Sequence, residues 1–238
     1  MNDTRTEIEN MIQNNDFSGL LHRTALIHGH HCVGSAMGVI AGHYAMKALG
    51  VVENTGMEHV IAVVETNNCF SDGIQMVTGC SFGNNSLVYR DYGKTAFSLV
   101  KRNGEGIRLS TRPDLGDLLK DKNPETHELY RKIVNLRNAT PKEEARMMEL
   151  NKQHCFSVLN IPAEKIFNKE RVKVDLPSYS RILNSQVCKA CGEKMMETKA
   201  VKKREEYYCI NCGEGDYGQL DWTGIHIVKG GKVSQIIS

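Results

Sequence analysis

No stretch of this 238-residue chain is apolar for anything near the ~18 residues that a membrane-spanning helix needs. Its opening residues, Met1-Asn-Asp-Thr-Arg-Thr-Glu, are polar, without the apolar core of a secretory leader. The expectation is a soluble, cytoplasmic protein with no membrane partner. Excess charge of one sign is also missing. Thirty Lys and Arg stand against 28 Asp and Glu, a formal net charge of +2. No overall field then draws the chain to nucleic acid, and the short basic run Lys202-Lys-Arg204 is cancelled by Glu205 and Glu206 as a solvated turn. There is no internal repeat, no low-complexity tract, no flavin or nicotinamide fingerprint and no ferredoxin-type cysteine run.

What the chain does have is cysteine and histidine, in clusters. In a cytoplasmic protein, eight cysteines read as metal ligands or reactive thiols rather than a disulfide framework. The first cluster runs from His28 to Cys80 and opens with His28-Gly-His-His-Cys32. Imidazole and thiolate suit zinc and other borderline-soft metals. An extended backbone would turn His28 and His30 to one side, so the motif reads as an extended entry to a helix. That helix is expected from Ser35, as N-cap, to Leu49, with Gly50 as its stop. Its small residues, among them Ala36, Gly38, Ala41, Gly42 and Ala45, predict close packing against other backbone. Cys32, just before its N-terminus, lies where partial positive charge favours thiolate.

Val60-Ile-Ala-Val-Val64 predicts a buried strand that delivers Cys69 at its C-terminal end, where ligands gather in α/β sheets. A helix over 70–78 would align Cys69, Asp72 and Met76 on one face, with Cys80 just past Gly79. The candidate site is therefore His28, His30, Cys32, Cys69, Asp72 and Cys80. Within it His30, Cys32, Cys69 and Cys80 are the candidate ligands of a zinc-type ion with an open position, and Asp72 or a spare histidine would orient a ligand or move a proton.

Around this cluster, Thr4–Gln13 predicts a short helix, and Asp16 caps a second one through Leu20, Leu21, Ala25 and Ile27. Residues 86–90, 96–100 and 106–110 predict three strands in a meander. Helices are expected over 124–137 and from the Thr140-Pro141 capping box to about Phe156, a short one over 161–167, and a strand at 172–174. His154 and Cys155 have no spaced partners and read as packing residues. Pro177 to Ser180 reads as a linker. This divides the chain into an α+β core domain, residues 1–180, and a small domain, residues 181–238.

The second cluster lies in the small domain. Cys188-Lys-Ala-Cys191 and Cys209-Ile-Asn-Cys212 are two C-x-x-C knuckles with 17 residues between them. That is the spacing of a structural zinc held by four thiolates, with no open position. Gly192 and Gly213 follow the knuckles and are expected to let the turns aim N–H groups at sulfur. So small a module has little core, and metal would supply much of its stability. Trp222, Ile225–Val228 and Val233–Ile237 predict a closing hairpin.

These motifs identify the chain as resembling the E-subunit family of molybdenum/tungsten formylmethanofuran dehydrogenase. The resemblance rests on His28-Gly-His-His-Cys-Val-Gly34, Glu65-Thr-Asn-Asn-Cys-Phe-Ser-Asp72, Gly73-Ile-Gln-Met-Val-Thr-Gly-Cys80, Arg90-Asp-Tyr-Gly-Lys94 and the two C-x-x-C pairs. The family's usual proline after the motif cysteine is here Val33. The resemblance implies a thioredoxin-like α+β core with a mixed sheet, a treble-clef-like zinc finger and often a homodimer. It implies an active site built from the His/Cys motif and the later cysteines. It also points to partnership with the other chains of a dehydrogenase that reduces CO2 to a formyl group on methanofuran, or the reverse, as in methanogenesis. It leaves open whether this chain is itself a catalyst. Two other functions fit the residues: a thiol-redox protein using Cys32, Cys69 and Cys80, or an adaptor built on the finger.

Overall fold

The structure, a computed structural model, describes residues 5–121 and 123–230. The chain forms two compact units, one ending at Pro177 and the other beginning at Ser178.

The N-terminal unit is a mixed α+β structure whose sheet is flanked by helices. Helix α1 (Thr6–Gln13) precedes three helices that position the candidate residues: α2 (Phe17–His28), α3 (Val33–Ala48) and α4 (Cys69–Thr78). Thr4, the expected first residue of α1, lies outside the described residues. Asp16 caps α2 through the Gly19 amide. The strands are β1 (Val60–Val64), β2 (Leu87–Tyr89), β3 (Ala96–Lys101), β4 (Glu105–Thr111) and β5 (Phe167–Lys173), in the order β2-β1-β3-β4-β5. Strand β1, apolar throughout, lies inside the sheet, as a strand buried on both faces should.

The meander is corrected. Strand β2 does not pair with β3; it runs parallel to β1, with Val63 opposite Val88, while β3 lies antiparallel on the other side of β1. The reason is α4, which returns the chain for a parallel pairing that no hairpin can make. Strand β5 begins five residues before the expected 172, because its register against β4 runs from Thr111 opposite Phe167 to Glu105 opposite Lys173. It is an edge strand, and its exposed Lys169, Glu170 and Arg171 hide the alternation that marks a half-buried strand.

Alternate side chains of the sheet, including Ala62, Val64, Phe97 and Leu99, join Leu20, Val39, Ile40, Phe70 and Ile74 of the helices in the main core. On the opposite face Ile61, Val63 and Val100 pack with Val88, Val172 and Leu176. Helices α3 and α4 meet backbone to backbone, as the small residues of α3 predict. A Cβ on Gly73 would stand 2.5 Å from the Ser35 carbonyl oxygen, and one on Gly38 would collide with the Phe70 carbonyl. This crossing brings the N-terminal ends of both helices together.

The remaining helices are α5 (Leu115–Leu119), α6 (Pro124–Tyr130), α7 (Pro141–Val158) and α8 (Ala163–Ile166). Helix α7 starts on the expected Thr140–Glu143 capping box. Helix α6 widens into a π-helical turn over Arg131–Asn135, where the Leu136 amide reaches the Arg131 carbonyl.

The described part of the C-terminal unit holds three short hairpins, a 3-10 turn (Glu197–Lys199) and a short helix: β6 (Ser185–Val187) with β7 (Lys194–Met196), β8 (Val201–Lys203) with β9 (Glu206–Tyr208), α9 (Ile210–Gly213), and β10 (Tyr217–Asp221) with β11 (Gly224–Val228). The closing hairpin is corrected in register: β11 pairs back onto β10, with Trp222 at the turn, and 233–237 lie outside the described residues. No described helix is long and apolar enough to cross a membrane.

Candidate metal centre

The N-terminal cluster is assembled at a three-helix junction. His28 is not in an extended entry segment but is the last residue of α2, and Gly29, at φ 88°, turns the chain left-handed behind it. That turn, not strand geometry, brings the His28 and His30 rings together at 4.5 Å between centroids. Cys32, rather than Ser35, is the N-cap of α3. Its sulfur accepts from the Ser35 amide at 3.3 Å, and the Cys32 amide donates to the Ser35 hydroxyl oxygen at 3.3 Å, which completes a capping box. Cysteine has no strong preference for that position, so the serine three residues on is the more conspicuous cap in the sequence.

Asp72, in the first turn of α4, accepts from His28 Nδ1 at 2.7 Å. A carboxylate on Nδ1 leaves the Nε2 lone pair facing outward, and Nε2 lies 3.4 Å from Cys32 Sγ. One donor atom each from His28, His30 and Cys32 falls within 4.8 Å of the others.

Cys69 opens α4, and a hydrogen-bonding interaction couples its thiol to the Cys32 sulfur, but it is not among the donor atoms that converge within 4.8 Å. That bond, with those from Ser35, holds the Cys32 thiol well below the ordinary thiol range. The same bond and burial push Cys69 up. Gly34 makes the pairing possible, since a Cβ there would stand 2.5 Å from Cys69 Sγ. Neither Gly34 nor Ser35 stands out in the sequence as part of the site; the only signal is their position directly after Cys32.

Cys80 is not brought in. It lies at the far end of α4, about 15 Å of helix away from Cys69. It is fully buried in the core, with the Val60 carbonyl 3.5 Å away, and burial pushes its thiol up. His31 turns away from the cluster to His22 of α2, Nε2 to Nδ1 3.1 Å, beside the Phe156 ring. His154 bonds the Leu119 carbonyl and Cys155 is buried in the core, so both pack.

The match between this architecture and known proteins is direct over the N-terminal unit. A family model described as FmdE, molybdenum formylmethanofuran dehydrogenase operon, matches residues 27–168, more than half of the chain. The chain belongs to the FmdE family. The matched segment contains the whole junction, from His28 to Asp72, and ends before the finger. Among curated proteins, the chain is 34% identical over 210 residues to a probable S-adenosyl-L-methionine-binding protein of Archaeoglobus fulgidus. That alignment covers 87% of this chain but 55% of the relative, so the chain spans about half the length of that protein. Among solved structures, a tungsten formylmethanofuran dehydrogenase FmdE-like protein from Syntrophus aciditrophicus superposes with a TM-score of 0.51 at 21% identity. That match covers 82% of this chain and 91% of the other, a likeness of fold.

The FmdE-family chain also carries the second cluster. Cys188, Cys191, Cys209 and Cys212 place their sulfurs within 4.8 Å of one another, a set able to hold a metal such as zinc. The first knuckle is the turn between β6 and β7, closed by the Cys188 amide on the Glu193 carbonyl, with Gly192 at φ 77°. The second leads from β9 into α9, where the Cys212 amide donates to Cys209 Sγ at 3.4 Å. Here the glycine reading is corrected. Gly213 ends α9 and presses on Val201, where a Cβ would stand 2.7 Å from the valine Cβ, and the left-handed position falls on Glu214. Backbone N–H groups of Cys191 and Cys209 pull the Cys188 thiol down to about 6.

Proposed function

We propose that this chain is a metal-binding accessory subunit of a molybdenum- or tungsten-dependent formylmethanofuran system, working in the cytoplasm. In this reading the helix junction holds a zinc-type ion through His28, His30, Cys32 and Cys69, and the finger holds a structural zinc. The observation that carries the reading is the convergence of the His28, His30 and Cys32 donor atoms within 4.8 Å, with His28 already oriented by Asp72. A carboxylate behind a ligating imidazole is the usual support of a catalytic metal ligand. Bound there, a zinc-type ion would supply Lewis acidity and an open position for an exogenous ligand.

The protein's own groups have distinct roles. Asp72 keeps the proton on His28 Nδ1 and its Nε2 lone pair on the cluster. Ser35 stabilises the Cys32 thiolate at the α3 N-terminus. Gly34 keeps room for the Cys69 sulfur. We extend the proposal to a homodimer, for which exposed Leu26 and Ile27, next to the junction on α2, offer apolar surface. The name of the Archaeoglobus relative adds S-adenosyl-L-methionine as an exogenous ligand to try, by equilibrium dialysis against wild type and His30→Ala.

A second reading is favoured by one contact. The Cys32–Cys69 hydrogen bond places a stabilised thiolate against a protonated thiol, the arrangement from which a disulfide forms with loss of two electrons to an acceptor.

Metal analysis of anaerobically purified protein separates the two. The metal reading expects about two ions per chain when metal is replete, His30→Ala or Cys32→Ser losing one and Cys212→Ser losing the other. One ion in wild type, unchanged by His30→Ala and Cys32→Ser, together with a reversible Cys32–Cys69 disulfide in peptide maps, would establish the redox reading instead.

A further inference from the structure

Along α3, His43 stands eleven residues beyond Cys32, about 16 Å from the metal cluster. A cleft of about 310 Å³ opens beside it, walled by Phe17, Ile40, Leu159, Ile161 and Pro162 and rimmed by the exposed Asn160 and Glu164. Its walls are apolar apart from His43, which is 6% exposed, and Tyr44, whose hydroxyl accepts from Lys169 Nζ at 3.2 Å. His43 Nε2–H donates to the Ile12 carbonyl at 3.1 Å, which leaves Nδ1 of the neutral ring as an acceptor. No group among the described residues donates to that nitrogen. The side-chain atoms that are both sealed and unpartnered, among the described residues, lie on Arg5, Glu9 and Thr126 instead, so Nδ1 keeps some exposure on a residue that lines the cleft. Burial and nearby Lys47 hold the imidazole below its ordinary pKa, so the lone pair is free at neutral pH.

A water would satisfy Nδ1 poorly, because an ordered water needs two to four polar partners and these walls offer few. A flat ring with one donor suits both parts of the site. The Phe17 ring already lies against the imidazole, at 4.4 Å between centroids, as one wall of a slot. The volume sits at the small end of ligand pockets, which span about 300–1,000 Å³, enough for one or two fused rings and too small for a nucleotide.

We propose that this cleft binds a small, flat, mostly apolar molecule carrying a single O–H or N–H donor, of the phenol or indole class, with the donor on His43 Nδ1. The site is independent of the metal junction and does not rest on the reading given to it.

The test is fluorine NMR of the full chain titrated with 4-fluorophenol and with 4-fluoroanisole, which keeps the ring and replaces the donor by a methyl ether. Saturable binding is expected for the phenol, about five- to tenfold tighter than for the anisole, the range of one neutral hydrogen bond. His43→Phe should remove that difference. Ala163→Trp, which fills the cleft mouth from α8 and leaves His43 in place, should weaken both compounds. The proposal is overturned if neither probe binds saturably to wild type, if both bind equally, or if the preference survives in folded His43→Phe. If that variant does not fold, the wild-type ratio and Ala163→Trp decide by themselves.

Discussion

The two sulfur clusters of this chain reach similar donor geometry by opposite routes. In the finger, four identical donors lie on two local turns, each knuckle closing within four residues. The junction draws its donors from a helix end, a helix cap and the first turn of another helix, with 36 residues between Cys32 and Cys69. A finger of this kind leans on its metal for folding, because its hairpins bury little. The junction leans on the core beneath it, and the close α3–α4 crossing positions its side chains.

The largest effect should come from taking a thiolate out of the finger. Cys209→Ser is expected to abolish zinc there and release residues 185–213 to hydrogen exchange, since structural zinc contributes ~10–16 kcal/mol in comparable finger peptides. Amides of β1, β3, α3 and α4 should keep their protection. Cooperative loss of protection across both units would break the comparison at its root.

Next comes the converse, damage to the junction through its support rather than its ligands. Gly73→Val forces a side chain into the Ser35 carbonyl and should cost about 3 kcal/mol of stability. It should also lose the junction ion while the finger keeps its own. Urea unfolding with metal analysis checks both; full retention of two ions would show that the crossing does not set the site.

Acid should separate the sites as well. The junction depends on neutral imidazoles, so its ion should be lost in mild acid, because a protonated imidazole cannot ligate. Cys32, held low, is still a thiolate there and is not the group that fails first. The finger has no imidazole, and four anionic thiolates with no open position hold their ion more firmly against protons. Metal release followed from pH 8 to 4 should show the junction ion leaving first. Coincident release would contradict the assigned donor sets.

Smaller still is Asp72→Asn, which keeps the shape but gives up the charge on His28. It should weaken junction metal binding about 10–100-fold, read by competition with a chromophoric chelator. At the bottom of the scale, Cys80→Ala should leave both ions in place and cost only about 1–2 kcal/mol for lost core packing. If it removed an ion, the junction would extend along α4 in a way the fold does not allow.

Much of the local structure is legible in the residues themselves. Thr140, Pro141 and Glu143 announce the start of α7 because a capping box is a short-range arrangement of hydroxyl, carboxylate and backbone amide. Asp16 does the same for α2, and the unbroken apolar run of β1 marks a strand buried on both faces. Strand β5 is only half legible because its outward charges belong to an edge position, which only the neighbouring strand defines. At the site, the structure sets Asp72 against His28 Nδ1, whereas only sequence proximity groups Cys80 with it. Ten residues of helix carry Cys80 to the opposite end.

By itself, the sequence determined the finger's four cysteines, the candidate status of His28, His30, Cys32 and Cys69, and the placement of most helices and strands. These follow from capping, periodicity and ligand spacing, which act over a few residues. The tertiary structure alone decided that β2 lies beside β1, that Cys69 rather than Cys80 meets Cys32, and that His31 turns to His22. It also decided that Gly34 serves the site through the space it leaves. Those outcomes depend on how closely α3 and α4 can approach, and that is settled by steric contact between segments far apart in the chain.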